Sequence, residues 1–273
     1  MRDLLKYYEK KWKLTKINKI LTTSTGLIYQ VTSNYGLSVL KIFTELGIKD
    51  ELHGATAFFK NCSGNGTAFL FENDERAQLI EFLSPPNLYF FSKNNLEQKA
   101  SKVFIKIIKE IHSIKTIENK KSLTNLEDLF EVLNSANFPK KLDKNLVIAR
   151  ELSNHLLRSQ KKEVLLHGDL HHENVLKRIN GEYVCFDPKG LFGDPSYEIA
   201  TILKNPWAFS DVSQDIGSFK QRVEIFSKSL DLPKARIIQF TFVHLCLSII
   251  WAIEDGNDYS HQENLIKKIR HLI

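Results

Sequence analysis

The chain has 273 residues, of which 42% are hydrophobic and 26% charged. That suffices to bury one large or two modest cores, and no low-complexity run points to disorder. The net charge of +6 is carried by scattered lysines with no basic stripe interleaved with aromatics, which argues against a nucleic-acid partner. Three cysteines, Cys62, Cys185 and Cys246, have no CxxC spacing and read as small buried hydrophobes in a reducing compartment. The N-terminal run MRDLLKYYEKKWKLTK is charged throughout and lacks the apolar segment of a signal peptide. The most apolar stretch, IIQFTFVHLCLSIIWAI from Ile237 to Ile253, contains Gln239 and His244 and is flanked by Arg236 and Glu254. It fits a buried core helix better than a membrane span. A cytoplasmic protein with no membrane partner is therefore expected.

In chain order, KINKILTTSTGLIYQVTSNYGLSVLKIF predicts three strands, broken at Thr22–Gly26 and at the turn Asn34-Tyr35-Gly36. A helix is predicted from about Ile48 to Lys60, then two strands in GTAFLFEN and RAQLIEFL. Ser84-Pro85-Pro86-Asn87 stops regular structure and marks a linker. Beyond it Leu96, Ala100, Val103, Phe104, Ile107, Ile108 and Ile111 fall on one helical face, with weaker helical patterns over Leu123–Leu133 and Leu146–Leu157. Short strands and loops follow near residue 167, and helices return after Asp194. The chain thus reads as α+β, with a small β-rich lobe at 1–84, a larger helical lobe at 85–273 and a cleft between them where a small ligand would bind.

The run VLLHGDLHHENVL concentrates three histidines and several acids. His167, His171 and His172 would have to converge to hold zinc, but neighbouring loop side chains point apart, and no His-Glu-x-x-His pair or nearby cysteine completes a set. A phosphoryl-transfer loop fits better. His167-Gly168-Asp169-Leu170, three residues and then Asn174 have the spacing of the protein-kinase pattern H-R-D-L-x-x-x-N, with glycine for arginine. A hydroxyl that attacks a γ-phosphate needs a carboxylate to orient it and take its proton, and Asp169 is suited to that. Mg²⁺, the companion of ATP, wants oxygen ligands, which Asn174 and Asp187 offer. The turn Asn180-Gly181 between two short strands would bring those two residues to one end. A lone Asp or Asn in a loop is usually a turn former; it is the order and the intervals together that carry the reading. His167 is expected to bond a backbone carbonyl under the loop, while His171 and His172 receive no role.

A kinase also needs a lysine for the nucleotide phosphates. Lys41 lies mid-strand in Ser38-Val39-Leu40-Lys41-Ile42-Phe43, with Glu51 as its best partner and Glu45 as runner-up. Ser24 and Thr25, in a turn with one glycine, are candidates for cradling phosphate. Glu81-Phe82-Leu83, just before the prolines, is where backbone groups would meet adenine, so Glu81 and Leu83 join the nucleotide-binding candidates.

LLHGDLHHENVL and FDPKGLFGDPSYEIATILKNP together make the chain resemble the aminoglycoside and hydroxyurea antibiotic kinase family, its streptomycin 6-phosphotransferase group in particular. The likeness runs from about residue 15 to 260 and is specific from Leu165 to Pro206. It implies a protein-kinase-like bilobal fold with ATP between the lobes, Asp169 as base, Asn174 and Asp187 on Mg²⁺ and Lys41 on phosphate. It also implies that Asp194 and Glu198 brace the catalytic loop, the second being usually aspartate in the family.

For the acceptor, Trp251-Ala252-Ile253-Glu254-Asp255-Gly256 ends the apolar helix with two carboxylates beside an aromatic. A polar helix end with a glycine cap would look the same, but acids oppose the helix dipole at a C-terminus. Glu254 and Asp255, with Glu198, are the candidate contacts to a cationic aminoglycoside. A neutral metabolite or hydroxyurea is the alternative acceptor, and a catalytically silent nucleotide-binding module is the alternative from another class. The presence of base, lysine and metal ligands argues against the last.

Overall fold

The computed structural model describes residues 2–135, 140 and 143–273. The N-terminal part is built on a five-stranded antiparallel sheet. Its strands are β1 (Thr15–Thr22), β2 (Gly26–Ser33), β3 (Gly36–Phe43), β4 (Leu70–Asn73) and β5 (Ala77–Glu81), in the order β1-β2-β3-β5-β4. The Asn34-Tyr35-Gly36 turn closes the β2–β3 hairpin with Ser33 opposite Gly36, and Gly36 takes a φ of 91° that a side chain would resist. Because side chains alternate along a strand, the sheet has two distinct faces. Leu27, Tyr29, Val31, Leu40, Ile42 and Leu79 form one, covered by a helix α1 (Arg2–Lys11) through Tyr8 and by Trp12 just beyond it. Ile28, Val39, Lys41, Gln78 and Ile80 form the other and line a cavity.

Helix α1 is absent from the sequence reading. Its Leu4, Leu5 and Tyr8 have helical spacing, but the run is short and charged residues surround it, which leaves the pattern weak; Tyr8 is further tied down by its phenol, which donates to Asp74 Oδ1 at 2.8 Å. The helix predicted from Ile48 starts earlier. Thr44 caps it, its Oγ1 accepting from Gly47 N–H at 3.2 Å. After Glu45–Gly47 the chain widens into a π-helical stretch, Ile48–Leu52, before α2 (His53–Cys62). Such wide turns tend to mark functional positions, and this one holds Glu51.

The rest is mainly helical. Helix α3 (Glu97–His112) buries Ala100, Phe104, Ile107, Ile108 and Ile111 on one face, as its spacing predicts. The weak pattern over Leu123–Leu133 resolves into two short helices, Leu126–Phe130 and Val132–Ser135, and the next into α4 (Asp143–Arg158). Two strand clusters then carry the motifs. In one, β6 (Val164–Leu166) pairs with β9 (Leu191–Gly193), which also pairs with Thr124–Asn125; the other is the hairpin of β7 (Val175–Lys177) and β8 (Tyr183–Cys185). Helices α5 (Glu198–Lys204), α6 (Ile216–Leu230), α7 (Lys234–Glu254) and α8 (Ser260–Ile269) complete the chain. Among the described residues α7 alone has the length and apolarity to cross a membrane, yet it is mostly buried and packs on α4, α5 and α8. Cys62, Cys185 and Cys246 are free and buried.

Candidate active site

The loop after β6 is held from beneath. Asp169 N–H donates to His167 Nδ1 at 3.2 Å, which leaves the ring proton on Nε2; that nitrogen meets the Phe186 carbonyl at 2.9 Å. His167 is fully buried and therefore ties the two motif loops together from inside. Gly168 sits at φ 81°, and a Cβ there would lie 2.5 Å from Leu191, so the turn needs glycine twice over. Asn174 Nδ2 donates to the Asp169 carbonyl at 2.9 Å. The Asn174 carbonyl in turn accepts from Phe186 N–H at 3.0 Å, and Asn180-Gly181 closes the β7–β8 hairpin, so Asn174 and Asp187 do share one end.

His171 and His172 part company. His171 Nδ1 accepts from Glu173 N–H at 3.3 Å, and its Nε2 lies 3.8 Å from Asp169 Oδ2. His172 is buried and its Nε2 meets Glu97 at 3.0 Å. Burial lowers the pKa of both rings, against the pull of Asp169 on the first and Glu97 on the second. No cluster of three His, Cys, Asp or Glu side chains able to hold a metal occurs among the described residues.

Across the cleft, Lys41 Nζ lies 3.1 Å from Glu51 Oε2 and 2.7 Å from Asp187 Oδ1. Glu51 also takes Lys189 Nζ at 2.8 Å. Burial would raise the Glu51 pKa, but attraction to Lys41 and Lys189 outweighs it and brings it to about 2. Glu45 pairs with Arg76 at 2.8 Å and plays no part here. Asp187 holds a left-handed φ of 58°. The following Gly190 and Gly54 of α2 touch backbone to backbone, and a Cβ on either would collide with the other strand of chain. This close approach seats the DPKG loop on the helix that carries Glu51.

Two cavities meet at that loop. The first, about 360 Å³, is lined by Ile28, Val39, Lys41 and Ile80 on one side, Leu176, Phe186 and Asp187 on the other, and Glu81 to Leu83 at its end. Arg178 fixes that end: it donates to Glu81 Oε2 at 3.0 Å, to the Thr67 carbonyl at 2.7 Å and to Glu182 at 3.1 Å. Ser24 and Thr25, the expected phosphate cradle, are not among the residues that line this cavity. Thr44 ties their carbonyls down, Oγ1 to Ser24 at 2.8 Å and N–H to Thr25 at 2.9 Å, and Ile20 and Leu21 of β1 line the cavity instead.

The second cavity, about 660 Å³, is lined by Asp169, Lys189, Tyr197, Lys204, His244, Trp251, Glu254 and Asp255, among others. Asp169 and Asp187 thus open on neighbouring cavities, not one, with consecutive residues Pro188 and Lys189 dividing them. Glu254 and Asp255 are exposed at the end of α7. Glu198 is not a substrate contact. Its buried carboxylate accepts from His167 N–H at 2.7 Å and Gly168 N–H at 3.2 Å, so it braces the loop from inside. Asp194 acts one step further away. It accepts from Ser196 N–H at 2.8 Å and pairs with Arg236 at 2.7 Å, and Arg236 donates to the Leu156 carbonyl of α4. Lys189, Arg178, Lys204 and His244 are not among the residues that the sequence singles out. Only Lys189 had a signal, as the third residue of DPKG.

The chain matches the family of aminoglycoside/hydroxyurea antibiotic resistance kinases over residues 11–256. It is 26% identical over 251 residues to the streptomycin 3''-kinase of Klebsiella pneumoniae, covering 90% of this chain and 91% of that one. It is 32% identical over 93 residues to the streptomycin 6-kinase of Streptomyces griseus, a match of 34% of this chain and 30% of that enzyme. In fold it resembles the aminoglycoside phosphotransferase APH(4)-Ia solved with ADP and hygromycin B, with a TM-score of 0.68 at 12% identity and 97% of each chain covered. It also resembles a choline kinase from Cryptosporidium parvum, with a TM-score of 0.64 at 13% identity, covering 99% of this chain and 94% of that one. With a protein-kinase-like fold and a family match that spans both motif loops and the sheet bearing Lys41, the chain belongs to the aminoglycoside/hydroxyurea antibiotic resistance kinases.

Proposed function

We propose that this protein transfers the γ-phosphoryl group of ATP to a hydroxyl of a small cationic acceptor, an aminoglycoside of the streptomycin type, in the cytoplasm. The observation that carries the reading is the position of Asp169 in the wall of a 660 Å³ cavity that ends in Trp251, Glu254 and Asp255 and adjoins the cavity anchored by Lys41. In this reading the lobes divide at 84/85, adenine lies along Glu81 to Leu83, and the phosphates reach Lys41. Asp169 accepts the proton of the acceptor hydroxyl as its oxygen forms the new P–O bond and ADP leaves. Asn174 and Asp187 suit Mg²⁺. The Asn174 amide N–H is engaged by Asp169, which leaves its oxygen as the free donor atom, and the Asp187 carboxylate is half exposed toward the nucleotide cavity. When bound, Mg²⁺ would offset the negative charge of the phosphates.

The test is transfer of labelled phosphate from MgATP to a panel of streptomycin, hygromycin B and hydroxyurea. Streptomycin is expected to be modified, with EDTA abolishing the reaction. Asp169→Asn should lower kcat by ~10²-fold or more and leave ADP affinity nearly unchanged. Equal loss of ADP binding, or turnover of hydroxyurea alone, would contradict the reading.

A further inference from the structure

The divide between the two cavities carries a cation that the reaction above does not use. Lys189 lines the larger cavity, whereas Pro188, one residue before it, lines the nucleotide cavity. Its backbone is fixed to the catalytic loop, because Lys189 N–H donates at 2.8 Å to the carbonyl of His167, two residues before Asp169. Its side chain runs back to the wide turn before α2, where Nζ lies 2.8 Å from Glu51 Oε1. Asp169 and Asp187 attract the same charge. Lys189 thus stands between the proposed base, a proposed metal ligand and the carboxylate that holds Lys41.

A mere counterion to Glu51 needs no opening to the cavity. The side chain of Lys41, held by the same carboxylate at 3.1 Å, is 10% exposed; that of Lys189 is 45% exposed. An ammonium has three donors, so Lys189 can keep Glu51 and still donate to an incoming oxygen. Nor does it make the cavity repel a cationic acceptor, because Glu51 and Asp187 offset Lys41 and Lys189 together. What these pairs do not cover is the charge that arrives with the reaction. As the acceptor oxygen bonds phosphorus and the bond to ADP breaks, negative charge spreads over the three oxygens of the phosphoryl group. That group crosses from the first cavity to the second, past Lys189. A donor already oriented toward the crossing stabilises the charge where it develops.

We propose that Lys189 is a second phosphoryl-binding lysine, which donates from the acceptor side to the oxygens of the group in transit while Lys41 holds the phosphates that remain on ADP. Lys189 keeps its protons throughout; the proton of the acceptor hydroxyl goes to Asp169. The assignment rests on the reading of the larger cavity as the acceptor site. It makes the third residue of DPKG a catalytic residue and Glu51 the shared anchor of a lysine on each side of the moving group.

Lys189→Met and Lys189→Arg in the full chain test it. In steady-state transfer to streptomycin, Lys189→Met is expected to lose ~100-fold in kcat with streptomycin KM nearly unchanged. Lys189→Arg, which keeps the charge, should stay within about 10-fold of wild type. A binding measurement needs no acceptor: ADP with Mg²⁺ and aluminium fluoride mimics the phosphoryl group in transit. The gain in ADP affinity on adding aluminium fluoride should shrink about 100-fold in Lys189→Met and be largely kept in Lys189→Arg. Unchanged affinity for ADP alone shows that each variant is folded, and Lys189→Gln repeats the test should Lys189→Met not fold. Adding Lys189→Met to Glu51→Gln separates this role from service to Glu51, and a further loss of about 100-fold in kcat is expected. No further loss there, or an undiminished aluminium fluoride gain in Lys189→Met, overturns the proposal. If the wild type leaves streptomycin unmodified, the acceptor reading fails, and the aluminium fluoride comparison still decides the role of Lys189.

Discussion

Lys41 Nζ and Asp187 Oδ1 lie 2.7 Å apart although 146 positions separate them in the chain. The contact joins the sheet to the DPKG loop across the cleft, and Glu51 holds the same ammonium from the other side at 3.1 Å. A lysine shared by two carboxylates is oriented before any phosphate arrives, so less side-chain freedom remains to be lost on binding. Lys41→Met should therefore reduce kcat/KM for ATP by roughly 100-fold, about 2.7 kcal/mol, with KM and kcat both affected. Steady-state kinetics at saturating acceptor would measure it. An unchanged KM for ATP would remove Lys41 from the phosphate site.

Glu51 gives that cluster a pH dependence. Its folded pKa of about 2 lies below the ordinary value of 4.5, because Lys41 and Lys189 together outweigh burial. A depressed carboxyl stabilises the fold above its unfolded pKa and loses that contribution as pH falls through the folded one. The difference corresponds to roughly 3 kcal/mol, an upper figure for a group so close to two lysines. Wild type should thus exceed Glu51→Gln in stability above pH 5, and the gap should close between about pH 4.5 and 2. Urea unfolding of both proteins across that range is the measurement. A gap independent of pH would mean that Glu51 acts by packing alone.

The same cluster shows what the sequence carried and what it did not. Lys41 and Glu51 were legible because a lysine in an apolar strand and an acid early in the next helix are local features, and strand alternation turns Lys41 to the cleft. Asp169, Asn174 and Asp187 were legible because their intervals are set by one loop and one hairpin, whose register Val175 and Cys185 confirm. Ser24 and Thr25 sit in a turn whose carbonyls Thr44 holds, a tertiary contact that their own stretch of sequence does not show. Glu198 was legible as a loop brace only through the family likeness; as a substrate contact it was misplaced, because no local feature tells whether an acid at a helix start faces a cavity or two buried N–H groups. Arg178, Lys204 and His244 depend on partners 44 to 114 positions away, which no window of sequence contains.

Glu198 makes the third prediction. Two backbone N–H groups of the catalytic loop donate to its buried carboxylate. Glu198→Ala leaves both donors unsatisfied and should cost about 2–4 kcal/mol of stability, while Glu198→Gln, which keeps one acceptor, should cost about half as much. Because the loop also carries Asp169, kcat should fall with little change in acceptor KM. Thermal unfolding with matched kinetics checks both parts. A fully stable Glu198→Ala would show that the loop holds its turn without the brace.

Glu254 and Asp255 act by charge at the rim. The net charge of +6 repels a cationic acceptor at long range, but salt screens that field beyond about 10 Å, so the rim carboxylates govern the last step of approach. Both are exposed, and exposed ion pairs are worth about 0.2–1 kcal/mol each. The double change Glu254→Gln with Asp255→Asn should raise the streptomycin KM by roughly 3- to 10-fold and leave kcat nearly unchanged. Stability should hold or rise by a few tenths of a kcal/mol, because two negative charges leave the C-terminus of α7. Raising the salt concentration should increase the wild-type KM while barely moving that of the variant. If both proteins respond to salt alike, the attraction for the cation arises elsewhere in the cavity, and Asp50, which also lines it, becomes the next residue to change.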